Sequence, residues 1–220
     1  MRIGIDAHIV LPKHKRYDPK IAKYTEELIS HIIDTDRAAQ HTWVLFFDER
    51  MKDTKQFERP NVIIKHFPFV QYRKYLPVLY SHMLISAFLR AASLDVFHSP
   101  EGLIPFVYPG KIVTTFHYVP RGDSESNLFV RTFMFGARAA FAQLCKRAKR
   151  IIVNQKSDLD LLVTRHDYPA ERVVVMSEAK NDKDWKEQAK QLVTLYEEVA
   201  PMKKKTGSKK KAAAKKSSKK

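Results

Sequence analysis

The sequence predicts a doubly wound α/β domain, and two observations carry that expectation. Short apolar runs, several of them β-branched, alternate along the chain with stretches whose apolar residues recur at helical spacing. Strands separated by helices imply right-handed crossovers and a mainly parallel sheet covered on both faces. No internal repeat interrupts the alternation.

The elements follow in order. "RIGIDA" (2–7) reads as a buried strand, and the basic loop "HIVLPKHKRYDPK" comes after it. Ile21, Tyr24, Thr25, Leu28, Ile29 and Ile32 then fall on one helical face. "WVLFF" (43–47) and "NVIIKHF" (61–67) are strands, and a helix is expected over 72–92. "LDVFH" (94–98) and "KIVTTFH" (111–117) are strands, the second favoured by its β-branched residues. A helix over 127–146, the strand "KRIIVN" (149–154) and the helix "KSDLDLLVTRH" (156–166), opened by a Ser-Asp pair, follow. "RVVVM" (172–176) is the last strand. After a linker over 177–182, an amphipathic helix over 183–200 is expected to pack back on the domain of residues 1–176.

Composition narrows the function classes. The chain has 220 residues and a formal net charge of +16. Its last 19 residues hold ten lysines and no acid, which leaves about +6 for the rest. Residues 201–220 lack the apolar residues to join a core and are expected to be disordered. Such a tail suits an anionic membrane or a nucleic acid, bound through charge and without base readout. A single cysteine, Cys145, excludes an internal disulfide framework and reads as a buried spectator thiol. Met1 leads straight into a strand, so no signal peptide is expected. "LPVLYSHMLISAFLRAAS" (76–93) is too interrupted by polar residues to span a bilayer and reads as a core helix. Together these features predict a cytoplasmic protein, free or held at the inner membrane surface.

Ligands of open α/β sheets bind beyond the carboxyl ends of the strands. That rule selects Asp6 and His8 after the first strand, His98 and Ser99 after "DVF", and His117 after "VTTF". No carboxylate or cysteine sits at ligand spacing beside these histidines, so no metal is expected. Arg121, in an "RGD" tripeptide, belongs to an ordinary loop.

"MRIGIDA", "IAKYTEELI", "LDVFHSPEGLIP", "KIVTTFHYVP" and "AKRIIVNQKSDLDLLVTRHDYPAERVVVM" follow one another in an order that resembles the N-terminal domain of family-4 glycosyltransferases. The resemblance covers residues 1 to about 176. It implies a Rossmann-like domain, one half of the two-domain GT-B fold, whose active site lies between two such domains. In that family the chain returns from the second domain and ends in a helix much like "DWKEQAKQLVTLYEEV" (184–199). The resemblance therefore implies that the donor-binding domain is missing between about Ser177 and Asn181.

The resemblance also has consequences for site residues. The family's "HD-x-x-P" is "HYVP" here, so His117 and Pro120 match and Tyr118 replaces the acid. The family's "GIGRY" is "KIAKY", with Lys20 and Ala22 at the glycines and Lys23 at the arginine. Side chains there remove the close backbone approach that glycine allows, leaving Lys20 and Lys23 as point charges for a phosphate. Three functions are implied. The first is a retaining glycosyltransferase, inactive alone, that uses a nucleotide-sugar donor through a partner chain carrying the C-terminal domain. No cofactor enters that scheme. His117 would face the sugar, and His98, Ser99, Lys20, Lys23 and Arg121, with the basic loop Lys13–Arg16, would hold a glycan or lipid-linked acceptor. The second is a non-catalytic binder or scaffold for such a ligand. The third is a nucleic-acid binder working through the tail.

Overall fold

The computed structural model describes residues 1–11, 18–68, 74, 78–105, 107–119, 141–143 and 145–201. Among these, seven strands form one sheet: β1 (Arg2–Asp6), β2 (Thr42–Asp48), β3 (Val62–Phe67), β4 (Val96–Ser99), β5 (Ile112–Phe116), β6 (Ala148–Val153) and β7 (Val173–Val175). Their order is β3-β2-β1-β4-β5-β6-β7, and each neighbouring pair is parallel. Helices among the described residues include α1 (Pro19–Ile33), α2 (Val78–Ala91), α3 (Lys156–His166) and α4 (Asp182–Val199). The helix expected over 127–146 lies for the most part outside the described residues, as do Arg121, the loop 12–17 and the lysine tail.

The central strands β1, β2, β4 and β5 are buried on both faces, which is why they read as unbroken apolar runs. In β2, Trp43, Leu45 and Phe47 join one core with Leu28, Ile29 and Ile32 of α1 and Leu192, Val193 and Tyr196 of α4. Val44 and Phe46 point the other way, into a second core with Ile85 and Leu89 of α2 and Leu162 of α3. Gly4 marks a close approach between β1 and the turn before β4. A Cβ there would lie 2.4 Å from Leu94 Cδ1 and 2.9 Å from Phe46 Cε2.

Capping explains several element ends. Asp18 caps α1 by accepting from the Lys20 amide, and Pro19 sits where its missing N–H costs nothing. Asn181 Oδ1 accepts from the Asp184 amide, and Asp184 Oδ2 accepts from the Lys180 amide, each at 3.0 Å. This reciprocal capping starts α4 directly after the short loop that leaves β7. The Ser-Asp pair expected to open α3 lies inside its first turn. The cap is Gln155, which makes no side-chain capping bond. Asp167 ends α3 in the left-handed conformation, at φ 50°. No described helix is long and apolar enough to cross a membrane.

Candidate functional site

The chain runs outward from β1 to β3 and returns to β4 on the other side of β1. The crevice between the carboxyl ends of β1 and β4 is therefore the topological switch point of the sheet. Asp6 closes β1, His8 follows it, and Glu101 lies just beyond β4. His8 is fully buried, with Nδ1 2.5 Å from Asp6 Oδ1 and Nε2 3.1 Å from Glu101 Oε1. The absence of carboxylates expected beside the histidines is corrected here, because chain return brings Glu101 to a residue distant in sequence. Burial alone lowers the imidazolium pKa. The charges and hydrogen bonds of Asp6 and Glu101 outweigh it and raise the pKa to about 10. His8 is thus a cation at neutral pH. The three groups are close enough to hold a metal ion. A carboxylate on each ring nitrogen, however, keeps both protons in place, and the ring serves as the cation itself. Asp6 Oδ2 is buried and makes no hydrogen bond.

His98 is also fully buried, and its ring bridges elements. Nδ1 lies 2.6 Å from the Tyr196 hydroxyl of α4, and Nε2 lies 3.0 Å from Thr115 Oγ1 of β5. Burial lowers its pKa to about 3, so the ring is neutral, one nitrogen donating and the other accepting. Ser99 is equally enclosed, and its Oγ accepts from the Leu103 amide at 2.9 Å. Both residues sit inside the sheet, since β4 extends through Ser99. They tie α4, β4 and β5 together beneath the site and offer no open face to a ligand.

His117 lies higher, at the end of β5, and is partly exposed. Its Nε2–H donates to the Pro100 carbonyl at 2.8 Å, and Nδ1 faces the Asn154 amide at a long 3.5 Å. Burial lowers its pKa, opposed by the Pro100 carbonyl and by the charges of Glu178 and Asp18. Its ring meets Tyr24 edge-on, with centroids 4.7 Å apart. Tyr24 in turn meets Trp185 at 5.4 Å, and Trp185 stacks on His31 at 5.7 Å and 22°. Four rings therefore run from the strand ends to the surface. The Tyr24 hydroxyl lies close to Thr115 without a hydrogen bond that meets normal geometry, and burial raises its pKa to about 12.

Along this row lies a groove of about 580 Å³ between one face of α1 and the loop leading into α4. Lys20, Lys23, Glu27 and His31 come from α1, Glu178 and Lys180 from the loop, and Trp185 from α4. Of the residues that the sequence singles out, Lys20 and Lys23 share this groove, and His117 joins its inner end through Tyr24. His98 and Ser99 lie beneath, and Arg121 lies outside the described residues. Sequence reasoning missed Glu101 and Glu178. Glu101 could have been found by extending the strand-end rule three residues beyond His98. Glu178 sits in what reads as a bare linker, and nothing in the sequence singles it out.

The family model described as Glycosyltransferase Family 4 matches residues 21–178. No curated protein matches the chain. Among solved structures, one match is the glycosyltransferase from Rickettsia africae ESF-5, at 14% identity and a TM-score of 0.47. The match covers 82% of this chain and 43% of that one, so the chain spans less than half the length of that protein.

Proposed function

The chain belongs to glycosyltransferase family 4, and from that premise we propose that it is the acceptor-side half of a sugar-transferring enzyme. A second chain supplies the domain that binds the nucleotide-sugar donor. One observation carries the reading. The family match ends at residue 178, inside a loop of six residues between Val175 and Asp182. In that loop the chain turns back onto its own domain. Where the GT-B pattern inserts a second domain, this chain goes directly into α4, which is capped and packs on α1 through Ala189, Leu192, Val193 and Tyr196. The acceptor side is then the strand-end crevice and its adjoining groove, with His117 facing the transferred sugar and Lys20 and Lys23 facing the acceptor. The lysine tail brings the protein to anionic membranes, where a lipid-linked acceptor would reside.

A second reading, binding without catalysis, is favoured by the start of α1. Asp18 and Pro19 begin a regular helix there, with Lys20 exposed in its first turn. The two readings separate in one experiment. The tagged full chain is used to capture partners from its native lysate in high salt, which suppresses tail-mediated binding. The split-enzyme reading expects one stoichiometric partner with a nucleotide-sugar-binding domain. A folded monomer with no such partner would refute it and leave the binding role.

A further inference from the structure

We propose that the outward face of α2 is a docking surface for an anionic lipid bilayer, with Tyr80, Met83 and Leu84 entering the interface. This deepens the membrane part of the proposed function, rests on it for the kind of surface, and does not depend on the partner chain. Tyr80, Met83, Leu84, Ala87 and Ala91 fall at i, i+3, i+4, i+7 and i+11, along one side of the helix, and all are exposed. Tyr80 is 59% and Met83 48% exposed, whereas Ile85 and Leu89, on the other side, are enclosed in the core. Arg90, in the last turn, is the only Lys, Arg, Asp or Glu in α2. Ile63 extends the patch. It pairs with Val44, which faces the α2 side of the sheet, and it is exposed on the edge strand β3. A helix at a protein surface ordinarily turns charged residues to water, so an apolar outer face of this kind marks an interface.

Charge favours a bilayer over a protein as the occupant. From Pro60 to Leu94 the sequence holds Lys65, Arg73, Lys74 and Arg90 and no acidic residue. Lys65 leans over the Phe88 ring, 5.9 Å from its centroid. Apolar side chains accompanied by cations and no acids are what an anionic lipid surface binds. The lysine-rich end of the chain starts within reach of this face, because α2 and α4 finish at the same end of the sheet. Arg2 Nε–H donates to the Ala92 carbonyl at 2.7 Å, directly after α2. The neighbouring Met1 ammonium and Glu197 of α4 both meet His41, at 3.5 and 3.1 Å. The 19 residues after Pro201 can span up to about 60 Å, enough to reach the same membrane. With 14 residues, α2 is too short to cross a bilayer and lies flat on it. As the crossover from β3 to β4, it runs back from the carboxyl ends of the strands. A flat α2 therefore sets the strand-end crevice at the rim of the membrane, where a lipid-linked acceptor enters.

The test uses the full chain and vesicles of phosphatidylglycerol mixed with phosphatidylcholine, with binding read by flotation. Tyr80→Trp places a reporter on the exposed face. Its emission should shift to the blue on binding and be quenched by lipids with brominated tails, beyond the change that Trp43 and Trp185 give in the wild type. The double variant Met83→Gln, Leu84→Gln should weaken vesicle binding about tenfold. The loss should persist at about 1 M salt, where attraction between the lysine tail and the headgroups is screened. Val175→Gln removes an exposed apolar residue at the opposite edge of the sheet and should change nothing. Flotation without quenching of the Tyr80→Trp reporter, or without response to the double substitution, would overturn the proposal and leave the tail as the sole membrane contact. A lipid-free dimer abolished by the same double substitution would assign the face to a second copy and overturn it too. Failure to float at all would sink both this surface and the tail's membrane role. The split-enzyme reading would stand through either failure, because partner capture decides it separately.

Discussion

Replacing His8 by glutamine should remove a pH-dependent share of stability that can be worked out from the Asp6–His8–Glu101 cluster. The His8 pKa rises from 6.5 to about 10 on folding. At 1.36 kcal/mol per unit, the shift corresponds to about 5 kcal/mol. An independent route gives a similar size, since stranding one partner of a buried ion pair costs about 3–5 kcal/mol. The raised pKa fixes the sign. The contribution is complete below about pH 6.5 and is lost as the pH rises towards about 10. Urea unfolding, followed by circular dichroism at a series of pH values, should show the wild type losing about 1.4 kcal/mol per pH unit across that window. The glutamine variant, which does not titrate, should be less stable at pH 6.5 and lack that slope. Equal slopes in the two proteins would refute the argument. If the variant fails to fold, a flat wild-type profile across the window would refute it as well.

Other substitutions probe the supports of the site. Tyr196→Phe leaves the buried His98 Nδ1 without its 2.6 Å partner and should cost about 1–3 kcal/mol. An unchanged urea midpoint would contradict the bridging role. Gly4→Ala places a methyl group 2.4 Å from Leu94 Cδ1 and should destabilise by about 1–3 kcal/mol, read from the same midpoints. Cys145 is fully buried, and burial raises its thiol pKa to about 12. It should resist a thiol reagent in the native protein and react once urea unfolds the chain. Rapid native labelling would show that it is not enclosed.

The sheet was legible because strands buried on both faces leave an uninterrupted apolar record, as Trp43 to Phe47 do. Helix α4 was legible for a different reason: the residues it buries, Ala189, Leu192, Val193 and Tyr196, recur at helical spacing. The site was harder to read. The sequence put His98 at a strand end, but β4 runs one residue further. In the centre of the sheet, beside Ile5 and Val113, its ring turns inward. A histidine at the tip of a strand and one inside it look alike in sequence. The pairing of His8 with Glu101 depends on β4 lying beside β1, a consequence of strand order that no local pattern encodes. Trp185 lies in the amphipathic stretch 183–200 that the sequence marks as a packing helix. Its place between His31 and Tyr24 required the angle at which α4 returns across α1.

The most direct test of the split-enzyme account is sugar transfer by a reconstituted pair. The full chain, its captured partner, and the two together would be incubated with a nucleotide-sugar donor and an acceptor extract, and nucleotide release and glycosylated product measured. The account predicts product from the pair alone and its loss when His117 is replaced by alanine. Transfer by the partner without this chain, or none from the pair, would contradict it.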